Sequence, residues 1–200
     1  MIRRRFLSAG TFGFGFGVWA AGSAPAVAGR VGDSRFPASI AANIGGKSVR
    51  LGLTGSALRT KYRFRVYAVA SYLQEGLAVA DAESLATLDA PKLLHLIFER
   101  DVDGSTMADA FRQSIGRSYP APAFAGELAQ LERHFVANPV KQDDHVRLTH
   151  IPGVGLGVQV NGQPVMVIRS VGFARAAWGT YLGRNNIGVA VKDGLTSRLR

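Results

Sequence analysis

Three guanidinium groups and a phenol crowd into one short run: Arg59, Arg63, Arg65 and Tyr67. A guanidinium grips a carboxylate through two parallel charge-assisted hydrogen bonds, and a tyrosine hydroxyl beside it adds a neutral donor. The run Arg-Thr-Lys-Tyr-Arg-Phe-Arg-Val-Tyr-Ala-Val-Ala-Ser-Tyr-Leu, Arg59 to Leu73, carries them. From Tyr62 onward the residues alternate, with Tyr62, Phe64, Val66, Ala68, Ala70 and Tyr72 in one set and Arg63, Arg65, Tyr67, Val69, Ser71 and Leu73 in the other. That period predicts one long strand from Arg59 to Leu73. Its second face begins charged and ends apolar, which suits the polar end of an apolar cleft. A surface strand with solvated arginines is the plainer alternative.

Other chemistry finds less support. Gly153-Val-Gly155-Leu-Gly157 has the look of a phosphate loop, but such loops join a strand to a helix N-terminus, and here a strand pattern follows. These glycines read as turn and close-packing residues. His95, His134, His145 and His150 lack metal-ligand spacing. Asp143-Asp144 sits in a turn-like stretch where solvation is expected rather than acid–base work. No Gly-x-Ser-x-Gly elbow occurs, and without cysteine the chain has no thiolate nucleophile, disulfide or cysteine-bound metal. No cofactor is called for.

The elements that must hold these groups begin after an expected leader. Arg3-Arg4-Arg5-Phe6-Leu7 follows the twin-arginine export pattern, a weakly apolar run broken by glycines comes next, and Ala26-Val27-Ala28 offers a cleavage motif. The expectation is a signal peptide over residues 1–28, a mature domain over 29–200, a periplasmic location and no membrane span in the mature form. The formal charge of +10 includes the three leader arginines, and the remaining basic residues are scattered without stacking aromatics. Nucleic acid is therefore not an expected partner.

Gly29 to Ser34 reads as a flexible lead-in. Strands follow around the Gly45-Gly46-Lys47 turn, and Thr54-Gly55-Ser56 is expected to break the chain before the arginine-rich strand. A short helix is capped by Asp81, and the nearly continuous apolar run from Lys92 to Phe98 predicts a central strand. Met107, Phe111 and Ile115 mark one helix, and Phe124, Leu128, Leu131 and Phe135 a second. Three strands over 146–168, with Asn161-Gly162 as a hairpin turn, precede helices over 171–182 and around Val191 and Leu195. The fold class is α+β with a largely antiparallel sheet.

Several local motifs in this order resemble the chalcone isomerase-like family, in its bacterial exported branch. They are Leu-Thr-Gly-Ser-Ala-Leu-Arg-Thr-Lys from Leu53, Val-Tyr-Ala-Val-Ala-Ser-Tyr-Leu from Val66, Phe-Glu-Arg-Asp-Val from Phe98 and Ile-Pro-Gly-Val-Gly from Ile151. The resemblance implies an open-faced sandwich, a large antiparallel sheet covered by helices with the ligand cleft between them. It also implies a site. Arg59 and Thr180 match the family's arginine and late threonine, Tyr67 stands in place of a strand threonine, and Met107 replaces a helix tyrosine. Ring closure of a chalcone needs donors on the developing enolate, and a thioether cannot donate.

The expected function is binding of a small amphipathic molecule, apolar with an anionic or phenolic end, as some relatives bind fatty acids. Arg59, Tyr67, Thr180 and Met107 are the candidate ligand contacts. The alternative is an isomerase of the intramolecular lyase type in which Arg59, Tyr67 and Thr180 stabilise an enolate. A third possibility is an interaction module whose cleft is filled by its own side chains.

Overall fold

The structure is a computed structural model and describes residues 27–199. The expected leader lies outside these residues except for its last two, which open the first strand. Nine strands and five helices occur in the described residues: β1 (Val27–Val31), β2 (Ser34–Pro37), β3 (Ser39–Ile44), β4 (Lys47–Lys61), β5 (Phe64–Gln74), α1 (Ala82–Thr87), β6 (Lys92–Phe98), α2 (Gly104–Gly116), α3 (Ala125–Ala137), β7 (His145–Ile151), β8 (Gly155–Val160), β9 (Gln163–Ile168), α4 (Val171–Leu182) and α5 (Val189–Leu195). Strands β3 to β9 form one antiparallel sheet in sequence order, with β6 at its centre. The fold is α+β, a large antiparallel sheet with helices on one face.

The alternation within each strand divides two apolar layers. Val69 and Leu73 of β5 and Leu94, Leu96 and Phe98 of β6 pack with residues of α1 to α5. Ala68, Ala70, Tyr72 and Leu93 point the other way, where Phe36 of β2 and Ile40 and Ile44 of β3 cover them. Both faces of β6 are thus buried, which explains its unbroken apolar sequence. Helix α4 lies deep in the helical layer, with Phe173, Trp178 and Leu182 fully buried and Ala174, Ala176 and Ala177 allowing close approach. Asp81 caps α1 by accepting from the Ser84 N–H at 2.7 Å, and Asp103 caps α2 by accepting from the Thr106 N–H at 2.8 Å.

Three sequence expectations need correction. Residues Gly29 to Ser34 belong to the β1–β2 hairpin rather than a flexible lead-in; Gly32, at φ +60°, makes the turn. Thr54-Gly55-Ser56 does not break the chain. It is an irregularity inside a continuous β4, where Gly55 adopts φ +156° because α5 lies across it. A Cβ at Gly55 would meet the Gly194 carbonyl oxygen 2.2 Å away. The Ser71 hydroxyl donates to the Leu195 carbonyl at 2.6 Å, and the Thr54 hydroxyl, 2.5 Å from that of Ser71, lies against the same carbonyl, tying the end of α5 to β4 and β5.

The third correction bears on the site. Arg59 to Leu73 is not one strand but parts of two, β4 and β5, joined by Tyr62-Arg63 with φ +49° and +70°. Two left-handed residues make the tight turn that hairpin twist favours. Neither is glycine or asparagine, so the sequence carries no turn signal there.

Candidate functional site

The hairpin puts Arg59 and Tyr67 directly across from each other as paired residues of β4 and β5. Both belong to the helix-facing sets of their strands, since Ala57 and Val69, two positions away on each, pack into the helical layer. The Arg59 guanidinium donates from Nη1 to the Ile187 carbonyl at 2.8 Å, in the segment joining α4 to α5. A guanidinium has five N–H donors, so most of this one's capacity remains. Gly188 leaves space beside it; a Cβ there would lie 3.6 Å from Nη1.

The Tyr67 ring packs against Phe98 of β6 with centroids 5.4 Å apart. Its hydroxyl meets the Tyr181 phenol of α4, which lines the same cavity, and the charge of Arg59 acts on both phenols. Burial raises the Tyr67 pKa, while the Tyr181 hydroxyl and the Arg59 charge oppose that rise. Burial pushes Tyr181 well above the ordinary tyrosine value, with Tyr67 adding to the effect. Both phenols are therefore neutral.

Beside this pair lies a small cavity of about 60 Å³, lined by Tyr67, Leu96, Met107, Ala110, Phe111, Ser114, Thr180, Tyr181 and Ile187. Met107, Ala110, Phe111 and Ser114 present one face of α2, as their spacing of three and four requires. The lining is mostly apolar, with Tyr67, Tyr181, Ser114 and Thr180 as its hydroxyl-bearing members. The Thr180 hydroxyl donates to the Ala177 carbonyl at 2.7 Å, one turn back in α4. Its proton is thereby engaged, so toward the cavity it can only accept.

Of the four residues singled out in the sequence, Tyr67, Met107 and Thr180 line the cavity and Arg59 stands beside Tyr67 behind the Ile187 segment. Tyr181 was not among them. Its signal lay next to Thr180 in Gly179-Thr180-Tyr181-Leu182-Gly183, but an aromatic on an apolar helix reads as core. Phe111 and Met107 were read as a core stripe with Ile115; Ile115 is fully buried, whereas Phe111 is only partly so and faces the cavity.

The fold resembles that of a fatty-acid binding protein of Arabidopsis thaliana, with a TM-score of 0.65 and 19% sequence identity over 82% of this chain and 92% of that one. At that identity the likeness is one of fold. A comparison with curated proteins found no match. The sequence model described as chalcone isomerase-like matches residues 28–196, nearly the whole described chain, and the protein therefore belongs to the chalcone isomerase-like family.

Proposed function

We propose that the domain binds a small amphipathic ligand, an apolar body with an anionic or phenolic end, and does not catalyse ring closure of chalcones. The observation that carries this reading is an apolar cavity lined by the Tyr67 and Tyr181 phenols, with the Arg59 guanidinium next to Tyr67 behind the Ile187 segment. A carboxylate placed there would receive a charge-assisted bond from Arg59 and a neutral one from Tyr67, while the chain lies against Leu96, Met107, Phe111 and Ile187. The fatty-acid binding function of the Arabidopsis neighbour supports this class of ligand. Met107 sets a thioether among the lining groups, so the α2 side of the cavity supplies no phenol for an enolate.

The present volume suits about two water molecules, whereas drug-sized ligands occupy roughly 300 Å³ or more. Binding therefore requires the flexible Met107 and the partly buried Phe111 to move aside. Methionine repacks readily, which makes α2 the adaptable wall.

The test is displacement of a fluorescent fatty acid by dodecanoate, compared between wild type and Arg59→Ala. Displacement by wild type and its loss in the variant are expected. Absence of binding to acyl and phenolic probes by both proteins would exclude the reading, and loss of a chalcone's visible absorbance dependent on Arg59 would replace it with the isomerase alternative. We propose likewise that residues 1–28 direct export to the periplasm and are removed, on the twin-arginine and Ala-x-Ala motifs. Mass measurement of the N-terminus in a periplasmic fraction tests that.

A further inference from the structure

The turn between β4 and β5 combines exposed aromatic rings with unpaired cations. Tyr62 is 83% exposed and Phe64 62% exposed, the two most exposed aromatic rings of the described residues. Lys61 holds its ammonium 5.7 Å from the Tyr62 ring centre, and Arg100, two residues past β6, holds its guanidinium 5.0 Å from that of Phe64. Arg65 is paired with Asp33 at 3.5 Å and Glu99 at 3.7 Å. Among the described residues no carboxylate lies within ion-pair distance of Lys61, Arg63 or Arg100.

The backbone here is a second, independent observation. Tyr62 and Arg63 both occupy left-handed conformations, φ +49° and +70°. A two-residue turn of this kind is best made by Asn-Gly, and a bulky tyrosine and arginine fit it poorly. Folding alone does not select these residues. Side chains that weaken a turn and are held out in solvent point to a surface that acts on something outside the chain.

We propose that this turn docks the domain on the anionic surface of a lipid bilayer, with Tyr62 and Phe64 entering the headgroup layer and Lys61, Arg63 and Arg100 facing lipid phosphates. Amphipathic aromatics settle at the headgroup level, and clustered basic residues add attraction to anionic lipid. Nucleic acid fits less well, because no groove or row of stacking platforms accompanies the two rings. Docking at this end would bring the Arg59–Tyr67 pair, a short step along the same hairpin, close to the bilayer. The proposal does not depend on the cavity holding a ligand.

The test uses the full chain with vesicles of phosphatidylcholine alone and of phosphatidylcholine with phosphatidylglycerol. The triple variant Tyr62→Asn, Arg63→Gly, Phe64→Thr supplies the residues the turn prefers at 62 and 63 and a strand-forming threonine at the exposed first position of β5, so its Tm should equal or exceed that of wild type. Its partition onto the anionic vesicles should fall on the order of tenfold or more, from the loss of one basic residue together with both interfacial rings. Residues 1–28 are common to both proteins and cancel in that comparison. Because the chain has no cysteine, Tyr62→Cys and Ser48→Cys each accept a single environment-sensitive label, Ser48 lying exposed at the far end of β4. The label at position 62 should respond to anionic vesicles and lose the response at high salt, while the label at position 48 stays silent. Equal partition of variant and wild type, an equal response at both positions, or an equal response on neutral vesicles would overturn the proposal.

Discussion

Arg59 and Tyr67 form a cross-strand pair between β4 and β5, and the Tyr181 phenol of α4 meets the tyrosine hydroxyl from the opposite layer. Under the proposed function the two contribute unequally. A hydrogen bond between neutral groups is worth roughly 0.5–1.5 kcal/mol and one to a charged group roughly 1.5–3. Tyr67→Phe should weaken dodecanoate binding by about tenfold or less, and Arg59→Ala by more. Arg59→Lys should recover only part of the loss, since an ammonium lacks the planar fork. Titration with dodecanol, which has the same chain and no charge, should show little effect of any Arg59 variant; a parallel loss there would mean that Arg59 acts on the fold.

Met107 sets the size of the cavity. Met107→Ala should destabilise the protein by about 2–5 kcal/mol, as removal of a buried side chain does. It should also increase the rise in Tm produced by a saturating acyl ligand, because the enlarged cavity no longer has to be opened. Met107→Phe should do the opposite, lowering affinity while costing less stability. Thermal melts with and without dodecanoate distinguish these outcomes.

The crossing of β4 by α5 leaves no room at Gly55. Gly55→Ala forces both a positive φ and a collision with the Gly194 carbonyl, so a loss of about 3 kcal/mol or more is expected. Ser71→Ala removes the closer donor to the Leu195 carbonyl and should cost about 1 kcal/mol, since the Thr54 hydroxyl, 3.1 Å from that oxygen, can then turn its proton to it. Urea unfolding checks both, and a Gly55→Ala protein as stable as wild type would contradict the close approach.

Two buried bases give stability a pH dependence. Lys92 of β6 is fully buried; its ammonium donates to the Leu85 and Ala86 carbonyls at the end of α1, and burial pulls its pKa down to about 7 from an ordinary 10.5. Between those values the unfolded chain binds a proton that the folded one does not, so this contribution rises with pH and is lost as pH falls through about 7. His95 is pushed down to about 3, chiefly by burial, with Arg147 and His145 adding to it. Its contribution is lost as pH falls from about 6.5 toward 3. Each amounts to several kcal/mol at most, about 1.4 per pH unit of displacement. Lys92→Met should flatten the slope of stability against pH above 7, and His95→Gln the slope below 6.5.

Much of the fold was legible in the sequence because its elements carry local signals. The cap Asp81, the Asn161-Gly162 turn and the apolar run of β6 all correspond to what the structure contains. The Tyr62-Arg63 turn was illegible because its residues contradict their own conformation; alternation simply ran through it. Gly55 misled in the other direction. A glycine between polar residues reads as a break, yet its cause is α5, far along the chain, pressing on β4. Arg59 and Tyr67 could be named from sequence, but their pairing depended on that unseen turn. Tyr181 stayed hidden because a phenol whose partner lies on another element looks like core until the two are brought together.

The buried Lys92 has an optical counterpart. Its ammonium sits 4.8 Å from the centre of the Trp178 ring, and the chain's other tryptophan, Trp19, belongs to the expected leader. In a chain begun at Gly29, all indole emission would come from Trp178. A cation held over an indole alters the field on its excited state, so its wavelength should step as Lys92 loses its proton near pH 7. The protein thus contains its own fluorescent titration probe, seated at the junction of sheet and helices, where unfolding and the charge of a single lysine can be read separately.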